Sequence, residues 1–320
     1  MILTKTPLRI PLAGGGTDLP LFTNFRTGKV LSMAINQYIY TYIFKRAETS
    51  STIVQTSNLQ EVKINTKIKH HLIRETLKYF KIKEKIHVGF FSTMPTRSGI
   101  GSSSSLVVGL ISSILKLKKI KKNKKEISKI AIKIERIILK ERGGIQDQII
   151  ASFGGLNLIS CFKKYKFNNI KIKLKKKDEA FLEKKLILVF SKKKRYSTDI
   201  IKTQKTSSIK QYLAVRNEVG TILKIIKNNS TNKLGEIFHK HWERKRKISD
   251  KMSNKYLDKV YDKINSSSLF LGGKLIGAGG GGFFLFVTKN QSKAKKFLKQ
   301  NNYDFSNFKI DKMGVRTTVF

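Results

Sequence analysis

The sequence predicts a two-domain α+β protein, and three observations indicate that class. Strand-like segments rich in β-branched and aromatic residues alternate with amphipathic helical segments in both halves of the chain. The 320 residues are 40% hydrophobic, which is enough to build a substantial core. A lysine-rich stretch from Lys163 to Lys177 interrupts both patterns, so we expect a domain junction there, between domains at 1–165 and 166–320.

The first half of the chain contains most of the predicted strands. They cover Ile2 to Leu12, Val30 to Phe44 (a strand pair broken near Asn36), Val62 to Ile64, Ile86 to Thr93, and Leu156 to Ser160. Helices are predicted over Leu72 to Phe80, Leu106 to Leu117, and Ile145 to Phe153.

The most regular helix is predicted over Asn123 to Lys140. Asn123 and Glu126 have the spacing of a capping box, in which each side chain accepts a bond from the other residue's backbone N–H. Isoleucines then recur at the i, i+3, i+4, i+7 spacing of one helix face. At about 100° per residue, Glu135 falls on the flank of that apolar stripe, and Gly143-Gly144 ends the helix.

The second half of the chain also mixes helices and strands. Strands are predicted over Leu186 to Phe190, Leu275 to Ile276, Phe283 to Val287, and Val315 to Phe320. Helices are predicted over Ile209 to Lys227, Leu234 to Met252, Asn254 to Asn265, and Ala294 to Gln300.

The net charge of +45 has two explanations. Clustered lysines and arginines bind the phosphates of nucleic acids. Here the lysines are scattered along helix faces and loops without interleaved aromatic residues, and the abundance of Lys, Ile, Asn and Phe is typical of an A/T-biased genome. We therefore expect a solvated basic surface that attracts small anions, and no specific nucleic-acid site.

The sequence shows no pattern of a signal peptide, a membrane span or a disulfide framework. The N-terminus lacks a signal-peptide pattern, and no apolar run approaches the roughly 20 residues that span a bilayer. The single cysteine, Cys161, gives no internal disulfide and no cysteine-built metal site. We expect a cytoplasmic protein with no membrane partner, and a homodimer stays open.

The most informative segment is the glycine–serine loop from Pro95 to Ser105, which leads into the apolar helix after it. Gly99 and Gly101 permit tight turns and close backbone approach. A glycine-rich turn before a helix presents unbonded backbone N–H groups and the positive end of the helix dipole. The loop therefore predicts a phosphate-binding site.

Three glycine-rich motifs in order resemble the GHMP kinase superfamily, small-molecule kinases of sugars and isoprenoid intermediates. They are Pro7 to Pro20, Pro95 to Ser103, and Gly277 to Phe283. The resemblance covers the whole chain. It implies an N-terminal domain similar to ribosomal protein S5, a ferredoxin-like C-terminal α/β domain, and an active site in the cleft between them.

The resemblance also implies ATP and Mg²⁺ as cofactors, and it assigns roles to single residues. The cradle for the ATP phosphates would consist of Pro95, Gly99, Gly101, Ser102, Ser103 and Ser104. Ser103 and Glu135 would be the Mg²⁺ ligands. Asp147 would accept the proton of the sugar hydroxyl or orient that hydroxyl for attack, and Arg9 would stabilise charge on the transferred phosphoryl group.

The acceptor would be bound by residues of the first and third motifs. These are Gly15, Gly16, Thr17, Asp18, Gly279, Gly280 and Gly281. Each polar candidate also has a purely structural interpretation: Glu135 as a solvated helix edge, Asp147 as a helix cap, and Asp18 as a turn residue. The joint spacing favours the catalytic interpretation most strongly for Glu135 and Asp147.

Within the superfamily, the first motif and the segment around Asp147 most resemble members that phosphorylate the anomeric C1 hydroxyl of a seven-carbon sugar 7-phosphate. Fucokinase domains share the first motif, and a non-catalytic sugar sensor with the same fold is a further alternative. One departure concerns the distal phosphate, because an expected arginine segment is replaced by Arg195 to Lys202. Arg195 or Lys202 would then substitute for that arginine.

Overall fold

A computed structural model describes residues 1–47, 50–193, 200–201, 203 and 209–320 of the chain. The larger of its two sheets contains eight strands. They are β1 (Ile2–Ala13), β2 (Gly28–Lys45), β3 (Thr52–Gln55), β4 (Leu59–Val62), β5 (Ile86–Ser92), β6 (Leu156–Cys161), β7 (Phe167–Ile172) and β12 (Arg316–Val319). Their main order is β12-β1-β2-β5-β3-β4, and β6 pairs with the first part of β2 and with β7. All pairs are antiparallel except β3 with β5.

The smaller sheet has the order β11-β8-β10-β9 and is antiparallel throughout. Its strands are β8 (Leu186–Phe190), β9 (Phe270–Leu275), β10 (Phe283–Thr288) and β11 (Phe305–Ser306). The predicted mixture of helices and strands in both halves is therefore confirmed.

The α-helices cover the sheets and place the ends of several loops in one cleft. They are α1 (Pro20–Thr23), α2 (His71–Tyr79), α3 (Ser102–Leu117), α4 (Lys124–Ile132), α5 (Gln146–Phe153), α6 (Lys176–Lys185), α7 (Ile209–Lys227), α8 (Thr231–Arg246), α9 (Lys255–Asn265) and α10 (Gln291–Gln300). Among the described residues, no helix combines the length and apolar character needed to cross a membrane.

Helix α3 is buried on nearly all sides and packs on β1 and β2. Gly109 allows this close contact, because a Cβ at that position would lie 2.7 Å from Thr6 Oγ1 and 2.9 Å from Thr41 Oγ1. This close packing fixes the direction of α3. It thereby also fixes the glycine–serine loop at the N-terminus of α3, which is called the serine loop below.

The predicted break near Asn36 is wrong, because β2 runs through it as one long strand. The pairing with β1 shifts register between Pro7 and Leu8, which leaves a bulge around Asn36. The freed polar groups of Asn36 bond instead to Lys309: its N–H donates to the Lys309 carbonyl (2.8 Å) and its Oδ1 accepts from the Lys309 N–H (2.7 Å).

The sheets do not divide the chain at residue 165 as composition suggested. The lysine-rich stretch contains β7 and the start of α6, and β7 lies at an edge of the larger sheet. The chain also returns to that sheet at its far end, where β12 pairs with β1. β7 carries Lys171, and a lysine on an edge strand protects the sheet edge against pairing with another chain.

The helix predicted over Asn123 to Lys140 changes type halfway. The capping box of Asn123 and Glu126 is confirmed, and α4 ends at Ile132. A π-helical segment, Lys133–Ile138, follows, in which the Leu139 N–H donates to the Ile134 carbonyl (2.9 Å). The wider turn rotates the apolar stripe, so Ile137 is 55% exposed while Glu135 is buried.

Candidate active site

A cavity of about 620 Å³ lies where the serine loop, the first glycine-rich turn, α5, α8 and the end of β9 meet. Most of the predicted site residues line it. They are Arg9, Gly15, Gly16, Asp18, Gly99, Gly101, Ser102, Ser103, Ser104, Glu135 and Asp147.

The other predicted site residues support the cavity wall from behind. Buried Thr17 donates its hydroxyl to the carbonyls of Gly14 (2.8 Å) and Lys29 (2.9 Å). The Pro95 carbonyl accepts from the Ser98 hydroxyl (2.5 Å). Gly279, Gly280 and Gly281 pack on neighbouring segments, and it is Gly277 and Ala278 that line the cavity from the third motif. Arg195 and Lys202 lie outside the described residues.

The serine loop ends at Gly101, whose φ of +83° starts α3 from a left-handed conformation. The first bond across this end of the helix runs from the Ser105 N–H to the Gly101 carbonyl (3.0 Å), so the N–H groups before it have no intrahelical acceptor. Ser102 Oγ is buried with no hydrogen-bond partner in the part of the chain that the structure describes. An anion at this N-terminus would satisfy both.

Arg9 and Asp147 form a bidentate ion pair beside the serine loop. Arg9 Nε and Nη2 donate to the two Asp147 carboxylate oxygens at 2.7 and 2.8 Å, and Nη1 donates to the Gly99 carbonyl (2.5 Å). A Cβ on Gly101 would lie 3.5 Å from Asp147 Oδ2, which shows how close the carboxylate is to the start of α3. The pair therefore fixes a carboxylate directly next to the N-terminus of α3.

Glu135 is a carboxyl group held in the protein interior with 1% exposure. Ser104 Oγ donates to its Oε1 (2.9 Å), and Gln148 Nε2 donates to its Oε2 (2.5 Å). Burial raises the pKa of Glu135 to about 7, although Arg136 and these hydrogen bonds act in the opposite direction. The serine that contacts Glu135 is Ser104, whereas Ser103 is exposed.

Asp18 is the second buried carboxyl group of the cavity wall. Its Oδ2 accepts from the Gln146 backbone N–H (3.1 Å), and Gln146 Nε2 lies 3.3 Å from both oxygens. Burial raises its pKa. A Cβ on Gly144 would lie 1.9 Å from Asp18 Oδ2, so only glycine leaves room for the carboxylate here.

The described residues contain no group of three or more His, Cys, Asp or Glu side chains that could hold a metal ion. They offer a buried carboxylate, Glu135, and the serine hydroxyls at the start of α3. Hard oxygen donors in small number fit Mg²⁺, which keeps several waters and takes its other ligands from substrate phosphates. The donor set therefore fits the expected metal.

Four polar residues on the opposite half of the chain also line the cavity, and sequence reasoning assigned them no site role. They are Tyr212, His241, Lys245 and Lys274. His241 lies within the helix predicted over Leu234 to Met252 and is buried, with Nδ1 2.9 Å from Glu218 Oε2. Burial is the main reason that its pKa is lowered to about 4, and Lys274 adds to that effect.

His241 should make stability depend on pH below neutrality. The unfolded chain takes up the proton near the ordinary pKa of 6.5 and the folded chain only near 4, so the free energy of unfolding falls as the pH drops through that window. The slope is at most about 1.4 kcal/mol per pH unit. The urea midpoint of wild type should fall relative to that of His241→Gln as the pH drops from 7 to 4. A constant difference between the two midpoints would contradict a neutral buried His241.

Gly282 connects the third motif to the serine loop and should not tolerate a side chain. Its φ is +100°, and a Cβ there would lie 2.1 Å from the Ser98 carbonyl oxygen. Gly282→Ala should therefore lower stability by about 1–3 kcal/mol and reduce turnover by displacing the loop.

Gly220→Ala is the matched control, because Gly220 lies in α7 with open space around its Cβ position. It should raise stability by about 0.5–1 kcal/mol. Chemical denaturation of both variants tests this difference, and equal stabilities would show that the Gly282 contact is not tight.

Comparisons with known proteins agree with this geometry. The family profiles described as GHMP kinases N terminal domain and GHMP kinases C terminal match residues 67–155 and 222–307. The chain is 31% identical to D-glycero-alpha-D-manno-heptose 7-phosphate kinase of Campylobacter jejuni, over 99% of this chain and 98% of that protein. It is 23% identical to a bifunctional fucokinase/GDP-fucose pyrophosphorylase of Arabidopsis thaliana, over 96% of this chain and 31% of that protein.

The fold is shared with a solved D-glycero-D-manno-heptose 1-phosphate kinase from Bacteroides thetaiotaomicron. The TM-score is 0.83 at 20% identity, with coverage of 100% of this chain and 99% of the other. Two matching family profiles and a full-length relative above 30% identity show that the chain belongs to the GHMP kinases and is an ATP-dependent phosphotransferase.

Proposed function

We propose that this chain is a sugar kinase that transfers the γ-phosphoryl group of ATP to the C1 hydroxyl of D-glycero-D-manno-heptose 7-phosphate, giving the 1,7-bisphosphate. The observation that carries the reaction type is the Arg9–Asp147 ion pair beside the open N-terminus of α3. The choice of sugar is supported by the full-length relative named as a heptose 7-phosphate kinase.

In this proposal the acceptor hydroxyl lies between Asp147 and the γ-phosphorus. The C1 oxygen forms a bond to that phosphorus, the bond to the β–γ bridging oxygen breaks, and ADP leaves with the electron pair. The hydroxyl proton passes to Asp147. Because Arg9 holds both carboxylate oxygens, Asp147 keeps one fixed orientation and serves first to align the hydroxyl.

Arg9 and the start of α3 supply the positive potential that the reaction needs. Charge spreads over the γ-phosphoryl oxygens during transfer, and N–H donors already in place stabilise it without reorganisation. Mg²⁺, when bound, would neutralise phosphate charge, and Glu135 with a serine hydroxyl would hold it. The family resemblance implies Ser103 for that hydroxyl, whereas Ser104 is the serine already bonded to Glu135.

Asp18 is suited to select the acceptor. A buried carboxyl group fixed by Gln146 accepts hydrogen bonds from sugar hydroxyls in one geometry and loses that partner if the hydroxyl is missing. A fucokinase-like activity is the second candidate, because the Arabidopsis thaliana relative named for fucokinase also aligns over most of this chain. A non-catalytic sensor would have no need for the combination of Glu135, Arg9 and Asp147.

A phosphorylation screen tests the proposal. The purified protein is incubated with ATP and Mg²⁺ and with heptose 7-phosphate, fucose, galactose or mannose derivatives, and ³¹P NMR assigns the phosphorylated position. Heptose 7-phosphate should give the 1,7-bisphosphate with the highest kcat/KM. Preference for fucose would move the assignment to the second candidate. If none of the sugars in the panel is phosphorylated, both candidates are contradicted.

A further inference from the structure

Two lysine ammonium groups lie in the wall of the cavity on the half built by β9 and α8. Lys274, at 2% exposure, donates Nζ to the Leu12 carbonyl and lies 4.3 Å above the Phe238 ring. Lys245 donates Nζ to the carbonyls of Leu275 (3.0 Å) and Gly277 (2.6 Å). Both residues line the cavity, on strands and helices other than those that carry the serine loop.

The buried charge of Lys274 is only partly compensated. Glu218, a buried carboxylate of this region, is bonded to His241 Nδ1 and to Arg244, and its negative charge also acts on Lys274. Among the residues that the structure describes, Lys274 has no carboxylate within ion-pair distance. Its Nζ faces a neutral carbonyl and a ring face, which compensate a buried charge only in part.

Burial accordingly lowers the pKa of Lys274 to about 7. A buried ammonium group without a counter-ion is costly, and an anion that enters with a ligand would remove that cost. The carbonyl partners of the two lysines, at Leu12 and at Leu275 and Gly277, directly adjoin the first and third glycine-rich turns. The excess positive charge is thus next to the segments expected to hold the acceptor.

We propose that Lys245 and Lys274 bind the distal phosphate of the acceptor and so select phosphorylated over unphosphorylated sugars. The inference rests on the proposed function, because it assumes an acceptor whose far end carries a phosphate. It places the recognition of that phosphate on α8 and β9 of the chain, not on Arg195 or Lys202, where the sequence alone pointed.

The test compares Lys245→Met, Lys274→Met and a control, Lys247→Met, which removes an exposed charge next to the end of α8. Acceptors are heptose 7-phosphate and the same heptose without phosphate. For the first two variants, KM for heptose 7-phosphate should rise about 10- to 100-fold, as expected for lost charged hydrogen bonds. KM for the unphosphorylated heptose should stay within about twofold of the control, as should both values for Lys247→Met.

Other outcomes overturn the inference in distinguishable ways. An equal KM increase for both acceptors, together with a lower melting temperature, would show that the lysines only support the glycine-rich turns. Arg195→Met and Lys202→Met are measured alongside these variants. If only they raise KM for heptose 7-phosphate, the phosphate is bound by that segment instead. Wild type that phosphorylates both acceptors equally would refute the inference while leaving the kinase assignment intact.

Calorimetric titration with inorganic phosphate provides a readout that does not need turnover. Wild type should bind phosphate competitively with heptose 7-phosphate, and Lys245→Met should bind it more weakly. If wild type binds neither inorganic phosphate nor heptose 7-phosphate, the inference is overturned. If it binds both but transfers no phosphoryl group, the inference stands and the proposed function fails.

Discussion

Asp147→Asn is expected to lower kcat by about 10²–10⁴-fold while the protein stays folded. Asparagine has the same shape, so the contact with Arg9 keeps one acceptor oxygen and the start of α5 keeps its packing. The variant nonetheless loses the negative charge that aligns the acceptor hydroxyl and receives its proton. Steady-state kinase assays and thermal unfolding measure the two effects separately.

The control for this change is Asp262→Asn, which removes an exposed carboxylate from α9 at a distance from the cavity lining. Its kcat and melting temperature should equal those of wild type. If kcat of Asp147→Asn is within threefold of the control, Asp147 has no direct role in the reaction. A large fall in melting temperature would show instead that the ion pair with Arg9 serves the fold.

Glu135→Gln is expected to reduce turnover by about 10- to 100-fold or more and to raise the Mg²⁺ concentration needed for half-maximal rate. Glutamine has nearly the same shape and keeps one acceptor oxygen for either Ser104 or Gln148, but it loses the second acceptor and the charge that would hold the cation. Rates measured over a Mg²⁺ titration at saturating ATP give both quantities. Glu236→Gln, on the exposed face of α8, is the matched control.

A pair of alanine variants identifies the serine that works with Glu135. Because the Ser104 hydroxyl is 2.9 Å from the carboxylate, Ser104→Ala should raise the Mg²⁺ requirement more than Ser103→Ala does. The reverse order would support the residue that the family resemblance indicates. An unchanged Mg²⁺ requirement in Glu135→Gln would contradict the metal role of Glu135 altogether.

The sequence could predict a phosphate site in the serine loop because the signal for such a site is local. Gly99, Gly101 and the serines lie in one loop before one helix, and the structure shows that loop at the cavity. Arg9 and Asp147 were each predicted from motifs, but their ion pair joins residues 138 positions apart. No periodicity within a segment can show such a contact.

Local rules did not predict the burial of Glu135, which the family resemblance had named, or the cavity positions of His241 and Lys274. A straight α-helix puts Glu135 at the edge of the apolar stripe, and only the π-helical turn moves it inside. His241 and Lys274 look like ordinary polar residues of a helix and a strand, and they become cavity residues because the second half packs against the first. Long-range packing, not propensity, decides the positions of His241 and Lys274.

The pairing of β12 with β1 has a consequence for how the molecule is assembled during synthesis. β1 is made before the other strands described here, yet its edge partner β12 emerges only after every strand of the smaller sheet. The N-terminal half therefore cannot finish its sheet as an independent unit while the rest is still being made. The hydrogen bonds between β1 and β12 form only after β12 has been made, so the larger sheet stays incomplete until then.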